Sequence, residues 1–174
     1  MGPEDTLPHI PRLRRYARLL TGDAVRADDL VQDTLERACR KWSMWRPHPS
    51  GGGLRSWLLS IMHNLFVNQL RDNACLGQDV ALDDGNEPAH HPEPHTHTRL
   101  DLEAALAELP APLREVILLV CVEELSYAEA AQVMGTPVGT VMSRLSRARE
   151  RLRALMDGPS NRSPGQPPRL KVVK

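Results

Sequence analysis

Five side chains near the carboxyl end of the chain have the chemistry needed to bind a DNA duplex. Hydroxyl groups and the guanidinium fork of arginine read base edges in the major groove and bind phosphates. The set comprises Thr140, Ser143, Arg144, Arg147 and Arg151. All except Ser143 recur at i, i+4, i+7 and i+11, which places them on one side of a helix. The pattern predicts a DNA-contacting face, although arginines on the solvated face of an ordinary amphipathic helix would show the same spacing.

The segment around these residues predicts two short helices joined by a tight turn. Ser126 and Glu129 have the spacing of a capping box, in which each side chain binds the backbone amide of the other residue. Gly135 is expected to end the first helix. Thr136 and Pro137 are expected to begin the second as N-cap and first helical residue. Two helices joined by a glycine-containing turn, the second carrying arginines, are typical of a helix-turn-helix with its recognition helix.

A second polar stripe lies in the first half of the chain, on a helix predicted over 54–72. Asn64, Asn68 and Arg71 recur there at i, i+4 and i+7. Amides and a guanidinium on one face suit adenine edges, unstacked bases and phosphates. An ordinary solvated face is an equally good interpretation of this stripe taken alone.

The segment before that helix, 43–53, is predicted to be a loop because it contains two prolines and three consecutive glycines. Glycines allow a backbone to approach a ligand closely. Trp45, Arg46 and His48 offer stacking and hydrogen bonding there. Taken alone, this composition is only a weak indication of nucleic-acid binding.

An acidic face is predicted on the second helix, over 24–42. Its members recur at i, i+3, i+4 and i+7, so they share one side of the helix. They are Asp29, Gln32, Asp33 and Glu36. A solvated face is one interpretation. The other is a docking surface for a basic partner, because complementary charge selects the partner and speeds encounter.

The charge balance of the whole chain indicates that another protein contributes to DNA affinity. Lysine plus arginine and aspartate plus glutamate each number 22, so the formal net charge is zero. A protein that binds DNA unaided usually neutralises many phosphates with an excess of basic residues. No apolar run is long enough to cross a bilayer and no signal peptide is recognisable, so we expect a cytoplasmic protein without membrane insertion.

Residue types that could support catalysis or metal binding are present but poorly placed. Cys39, Cys75 and Cys121 are far apart and lack a CxxC pair, and Cys39 and Cys121 are expected to be small buried apolar residues. Four histidines fall in a proline-rich segment that does not predict the fixed geometry of a metal site. They are His90, His91, His95 and His97. We therefore expect no catalytic residues, no metal and no cofactor.

The chain is predicted to be all-α, with two small helical domains joined by a flexible linker and a helix-turn-helix in the second domain. We assign 1–73 to the first domain, 74–99 to an acidic linker rich in histidine and proline, and 100–157 to the second domain. The last segment, 158–174, has four basic residues and no acidic ones, and it is expected to be a disordered tail.

Three motifs in this order resemble the extracytoplasmic-function (ECF) sigma factors of bacterial RNA polymerase, which have only the sigma region 2 and region 4 domains. They are ADDLVQDTLERACRKW, LRSWLLSIMHNLFVNQLR and LAELPAPLREVILLVCVEELSYAEAAQVMGTPVGTVMSRLSRARERLR. The resemblance covers about residues 8–73 and 100–156. It implies an alternative sigma factor that binds core RNA polymerase and directs initiation at promoters with −10 and −35 elements.

The resemblance implies a role for each polar surface. The acidic face of the second helix would dock on the coiled coil of the polymerase β′ subunit, and the β flap is a further expected contact. The loop 43–53 and the start of the next helix match the element that captures an unstacked −10 base. Asn64 matches a residue that helps to form the pocket for that base, and Asn68 and Arg71 follow Asn64 along the helix. Residues 137–147 match the recognition helix for the −35 element, with Arg151 further along.

Some features depart from the family or leave alternatives open. Met142 stands where many relatives carry a basic residue, and the glycines of the loop leave −10 specificity open. An anti-sigma factor is a third candidate partner besides polymerase and promoter DNA. The alternative function is a free-standing helix-turn-helix regulator that acts without polymerase docking.

Overall fold

The first three helices form a unit that carries the acidic face and the asparagine stripe. The computed structural model describes residues 2–46, 53–75 and 99–157. Helix α1 spans Ile10–Thr21, α2 spans Ala24–Arg40 and α3 spans Leu54–Cys75. Helix α1 packs against α2, and α2 packs against α3. Short 3-10 helices precede α1 and follow α2, at Pro3–His9 and Trp42–Met44. We call the described residues up to 75 the amino-terminal unit.

The remaining described residues, 99–157, form the carboxy-terminal unit. Its helices are α4 (Arg99–Glu108), α5 (Ala111–Ile117), α6 (Tyr127–Met134) and α7 (Val138–Asp157), with a π-helical turn at Leu118–Val122 directly after α5. Helix α7 packs against α4, α5 and α6. The described residues contain helices and no strand, so the all-α prediction is confirmed. Helices α6 and α7 form the predicted helix-turn-helix.

Local sequence signals account for several of the helix ends. Gly22, with a φ of +70°, ends α1, and the Asp23 carboxylate begins α2 by accepting from the Arg26 amide at 2.8 Å. The predicted capping box opens α6: the Ser126 amide donates to Glu129 at 2.9 Å, and the Glu129 amide donates to the Ser126 hydroxyl at 3.2 Å. The Ser126 hydroxyl also donates to the Glu129 carboxylate at 2.7 Å, and this bond, together with the one from the Ser126 amide, lowers the pKa of the Glu129 carboxyl.

Two helices reach slightly further than expected, and the expected burial of two cysteines is wrong. Helix α3 continues to Cys75 and α4 begins at Arg99, so both helices extend into the predicted linker 74–99. The remainder of that segment and the predicted tail 158–174 lie outside the described residues. Cys39 and Cys121 are exposed rather than buried. Ala38 takes the inward position on α2, and a residue one step further along a helix points about 100° away.

The two units pack against each other and share one apolar core. Helix α3 lies between α2 of its own unit and α6 of the other, while α1 contacts α4, α5 and the π-helical turn. Leu58 and Met62 of α3 are completely buried, and their core is continuous with that of the carboxy-terminal unit. A helix packed on both sides needs apolar residues on most of its circumference. The prediction of two separate domains did not anticipate this contact.

The capping box makes a prediction about stability. Ser126→Ala removes the acceptor for the Glu129 amide and should lower the free energy of unfolding by about 0.5–2 kcal/mol. Ser146→Ala is the matched control, because Ser146 is exposed on α7 and its change should stay within about 0.5 kcal/mol. Urea unfolding followed by circular dichroism measures both. Equal stability of the two variants would contradict a stabilising cap at Ser126.

Candidate nucleic-acid interface

The start of α7 is determined by the turn that precedes it. Gly135 ends α6 in the left-handed region, with a φ of +59°. The Pro137 carbonyl accepts from the amides of Thr140 at 3.0 Å and Val141 at 3.2 Å. Pro137 is therefore the N-cap rather than the first helical residue. The Thr136 hydroxyl is buried without a hydrogen-bond partner among the described residues, so the prediction that Thr136 caps the helix is wrong.

Helix α7 separates an apolar face from a basic one. Val141, Leu145 and Ala148 are buried in the core. On the other side Ser143, Arg147 and Arg151 are exposed, and Thr140 and Arg144 are half-buried. Within the described part of the chain, no acidic side chain forms an ion pair with Arg144, Arg147 or Arg151. Three guanidinium groups along the helix thus remain available to phosphates or base edges.

Met142 does not belong to this basic face. Its side chain is 53% exposed, and it borders a shallow surface groove together with Tyr127, Ser146 and Arg149. By helical geometry it points about 160° away from Arg144. The position at which a basic residue was expected therefore lies on a different side of α7 from Arg144, Arg147 and Arg151.

The asparagine stripe on α3 is exposed, as expected. Asn64, Asn68 and Arg71 all lie on the solvated side of the helix. The Asn64 amide nitrogen donates to the Ser60 carbonyl at 2.8 Å, and its side-chain oxygen accepts no hydrogen bond from the described residues. Because the hydrogen bond to Ser60 fixes the Asn64 side chain, its oxygen is a suitable acceptor for the amino groups of unstacked bases.

Trp45 requires a correction, because it is not a free aromatic ring in a loop. It is only 8% exposed, and its ring centroid lies 5.7 Å from Trp42 and 6.4 Å from Trp57. Packing of the Trp45 ring in this cluster keeps it buried, although the residues that follow it in the sequence are typical of a loop. Arg46 is exposed, and its guanidinium donates to the carbonyls of Ser43 and Trp45. His48 lies outside the described residues.

The acidic face of α2 is exposed along its full length, since Asp29, Gln32, Asp33 and Glu36 all face solvent. Gln32 donates to Glu36 at 3.2 Å, and Arg40 pairs with Glu36 at 3.4 Å. Neither Asp29 nor Asp33 has an ion-pair partner in the described part of the chain. The central carboxylates of this face are therefore free to meet a basic partner.

Sequence reasoning missed a group of charged side chains between the two units. His63 contacts Glu115, and Glu123 faces Arg12 and Arg55. Burial raises the pKa of the Glu123 carboxyl, although the arginines act in the opposite direction. Burial also raises the pKa of Tyr16, with a further contribution from Glu115 and Glu123. The near-continuous apolar character of α3 was the only signal that a second surface packs there.

The described residues contain no group of three or more histidine, cysteine, aspartate or glutamate side chains that could hold a metal ion. The four linker histidines lie outside those residues, so their role stays a prediction. No helix in the described ranges is both long and apolar enough to span a membrane.

Two family models match the chain in the order that the motifs predict. The sigma2 domain of PhyR matches residues 6–63, and sigma-70 region 4 matches residues 99–152. The ECF RNA polymerase sigma factor EcfG of Rhodopseudomonas palustris is 38% identical over 154 residues, covering 88% of this chain and 83% of that protein. The ECF sigma factor SigE of Mycolicibacterium smegmatis is 35% identical, covering 83% of this chain but only 57% of that longer protein.

Solved structures show the same relationship. The sigma factor RpoE of Bartonella quintana, in complex with the anti-sigma factor NepR, superposes with a TM-score of 0.71 at 32% identity. The match covers 90% of this chain and 96% of that one. CnrH in complex with the cytosolic domain of CnrY gives a TM-score of 0.61 at 28% identity, covering 90% and 87%. The chain belongs to the ECF RNA polymerase sigma factors. The family that its motifs resembled is thereby confirmed.

The position of Trp45 makes a second prediction about stability. Trp45→Ala removes a ring from the tryptophan cluster and should cost about 3–5 kcal/mol of unfolding free energy. Arg46→Ala, its exposed neighbour, should change stability by less than about 0.5 kcal/mol. Denaturant unfolding of both variants measures the difference. If Trp45→Ala were as stable as the wild type but bound single-stranded DNA less well, Trp45 would be a binding residue after all.

Proposed function

We propose that this chain binds core RNA polymerase and directs initiation at promoters with −10 and −35 elements. The observation that carries the proposal is the basic face of α7, on which three arginines lack ion-pair partners among the described residues. That face lies in the same chain as a second polar stripe and an acidic docking face. Bond formation would belong to the polymerase, in the bacterial cytoplasm where the polymerase and the promoters are found.

We assign −35 recognition to the carboxy-terminal unit, within residues 100–157. Thr140, Ser143 and Arg144 lie in the first two turns of α7, from which a recognition helix contacts base edges. Arg147 and Arg151 lie further along and suit phosphates. Pro137, as the N-cap, lies directly before the first turn of the helix. A basic face whose arginines have no ion-pair partner among the described residues supports this assignment.

We assign −10 recognition to the amino-terminal unit, within residues 1–73. The side-chain oxygen of Asn64 and the exposed side chains of Asn68 and Arg71 support contacts with a separated strand. Arg46 and His48 remain candidates from the loop. Trp45 is omitted because its ring is already packed. Few aromatic side chains are available to wedge open a duplex, so melting would depend on capture of flipped bases.

We assign polymerase docking to the acidic face of α2. Asp29 and Asp33 are exposed and unpaired in the described part of the chain, so their charge is available to the basic coiled coil of the β′ subunit. The β flap would contact the carboxy-terminal unit. An anti-sigma factor is a further proposed partner, because the RpoE and CnrH structures contain NepR and CnrY.

A reconstituted transcription reaction tests the function as a whole. The purified chain with core polymerase should give transcripts from a subset of promoters, and core polymerase alone should not. A free-standing helix-turn-helix regulator would instead bind the same duplex tightly without polymerase. Tight binding by the isolated chain, together with no promoter-specific transcript, would favour that alternative.

Charge reversal on α2 tests polymerase docking. Asp29→Lys with Asp33→Lys places like charges against a basic surface, so affinity for core polymerase should fall at least tenfold while the protein remains folded. Glu4→Lys with Glu108→Lys is the matched control, because both residues are exposed, lie outside α2 and change the net charge equally. Competition for labelled core polymerase measures both. Equal losses in the two variants would indicate a general charge effect.

Arginine truncations on α7 test −35 recognition. If Arg144 contacts a guanine edge, Arg144→Ala should cost about 1–3 kcal/mol and relax preference at one base pair. Arg151→Ala should weaken all promoters alike and flatten the salt dependence. Arg153→Ala is the control, since Arg153 lies on the opposite side of α7. The measurement is holoenzyme binding to a panel of −35 variants. No effect from either of the first two changes would leave the stripe as a solvated face.

A further inference from the structure

Polar and charged side chains lie in the contact between the two units, beside the apolar core that the units share. His63 Nδ1 of α3 is 2.6 Å from Glu115 Oε1 of α5, and these side chains are 13% and 3% exposed. Each partner belongs to a different unit, so the pair exists only while the units are together. A carboxylate buried to this degree requires its partner, because water no longer solvates it.

Glu123 is a second buried carboxylate in this contact. It follows the π-helical turn and is 1% exposed. Its Oε2 lies 3.4 Å from Arg12 Nε of α1 and 4.0 Å from Arg55 Nη1 of α3, while Oε1 has no hydrogen-bond partner within the described residues. Both arginines belong to the amino-terminal unit. Among the described residues, the cost of removing the Glu123 carboxylate from water is therefore offset only in part, and only by arginines of the opposite unit.

Arg114 of α5 makes the third polar connection. Its guanidinium donates to the carbonyl of Leu20 at 2.8 Å, near the carboxyl end of α1, and to the carbonyl of Leu109 at 2.9 Å. The last carbonyls of a helix lack partners within the helix and carry its negative dipole end, so a cation is favourable there. One side chain thus serves a helix end in each unit.

These three connections reduce the free-energy cost of separating the two units. A buried ion pair contributes little net stability, because desolvation of both partners offsets their attraction. When the units move apart, water solvates the carboxylates and the guanidinium groups again. An interface of apolar side chains alone would expose only apolar surface on opening, and no such compensation would follow.

The proposed function requires the units to move apart. The −10 and −35 elements are roughly 25 base pairs apart by their names, which is about 85 Å at 3.4 Å per base pair. A compact chain of this length has a radius of gyration of about 16 Å, hence a diameter of about 40 Å. The closed chain cannot contact both elements at once. The segment 76–98 could span about 80 Å when fully extended, which is enough for an open form.

We propose that His63 with Glu115, Glu123 with Arg12 and Arg55, and Arg114 with the Leu20 carbonyl form a charged clasp between the units. The clasp and the shared apolar core keep the free chain closed without any other protein, and the closed form competes with promoter binding, so promoter binding requires the clasp to open. The competition with the promoter rests on the proposed function, whereas the closed state of the free chain does not.

Native cysteines allow the distance between the units to be measured on the full chain. Cys39 of α2 and Cys121 of the π-helical turn are both exposed, one in each unit. Cys75→Ser leaves these two thiols for spin labels, and pulsed electron paramagnetic resonance then gives their distance distribution. The free protein should show one short, narrow distribution. A broad distribution centred at long distance in the parent protein would overturn the proposal.

Charge reversal from each side tests the clasp. Arg12→Glu with Arg55→Glu, and separately Glu123→Arg, should each broaden the distribution and raise the open population about tenfold or more. All three changes together restore opposite charges and should return the distribution toward that of the parent. Arg18→Glu with Arg37→Glu is the control, since both residues are exposed on the amino-terminal unit. Circular dichroism checks that the helices persist, and if one variant fails to fold, the variant from the other side still decides.

Outcomes for the clasp and for the function are distinguishable. Unchanged distributions in both reversed variants would overturn the clasp, whatever the transcription assay shows. If the clasp is present, Glu123→Arg should form promoter complexes with core polymerase several-fold faster than the parent at equal concentration. An unchanged rate with an opened distribution would overturn the competition with the promoter. Absence of any transcript from the parent would reject the proposed function and leave the distance result standing.

Discussion

Burial of α3 on two sides is the constraint on which the rest of the structure depends. The helix provides the wall for α2 in its own unit and for α6 in the other. Two packing faces leave only a narrow solvated strip, and Asn64, Asn68 and Arg71 occupy it. Any change that enlarges this strip would remove apolar surface from one of the two contacts. The polar stripe is thus confined by packing to a single line along the helix.

The same division of surfaces recurs on α2 and α7. Each helix directs one face into the common core and carries its charged residues on the opposite side, acidic on α2 and basic on α7. The formal net charge of zero for the whole chain therefore does not mean that either surface is neutral. Each surface can therefore attract its own partner at short range, where local charge matters more than the total.

Signals contained within a few residues were predictable, and contacts between distant residues were not. The Ser126 capping box and the stop at Gly135 depend on hydrogen bonds and backbone geometry within one turn, so the sequence predicts them directly. The sequence predicted that the Trp45 ring is available for stacking, because the composition of the loop suggests exposure. Its partners, Trp42 and Trp57, lie on either side of that loop in the sequence. His63 and Glu115 are separated by 52 positions, and no periodicity links them. The exposed site residues followed from helical spacing alone, whereas the exposure of Cys39 shows that an error of one helical position changes the face.

The π-helical turn at Leu118–Val122 gives the inter-unit contact an unusual dependence on chain length. The Glu123 amide donates to the Leu118 carbonyl at 2.9 Å, five residues back rather than four. One additional residue per turn rotates everything that follows by about 100° relative to a regular α-helix. The direction of the Glu123 carboxylate is therefore determined by how many residues precede it in the turn, as much as by its own identity. In a relative that retained this glutamate but lacked one residue of the turn, the carboxylate would point in a different direction. Gaps in an alignment of relatives at this turn therefore carry information that conserved residue types do not.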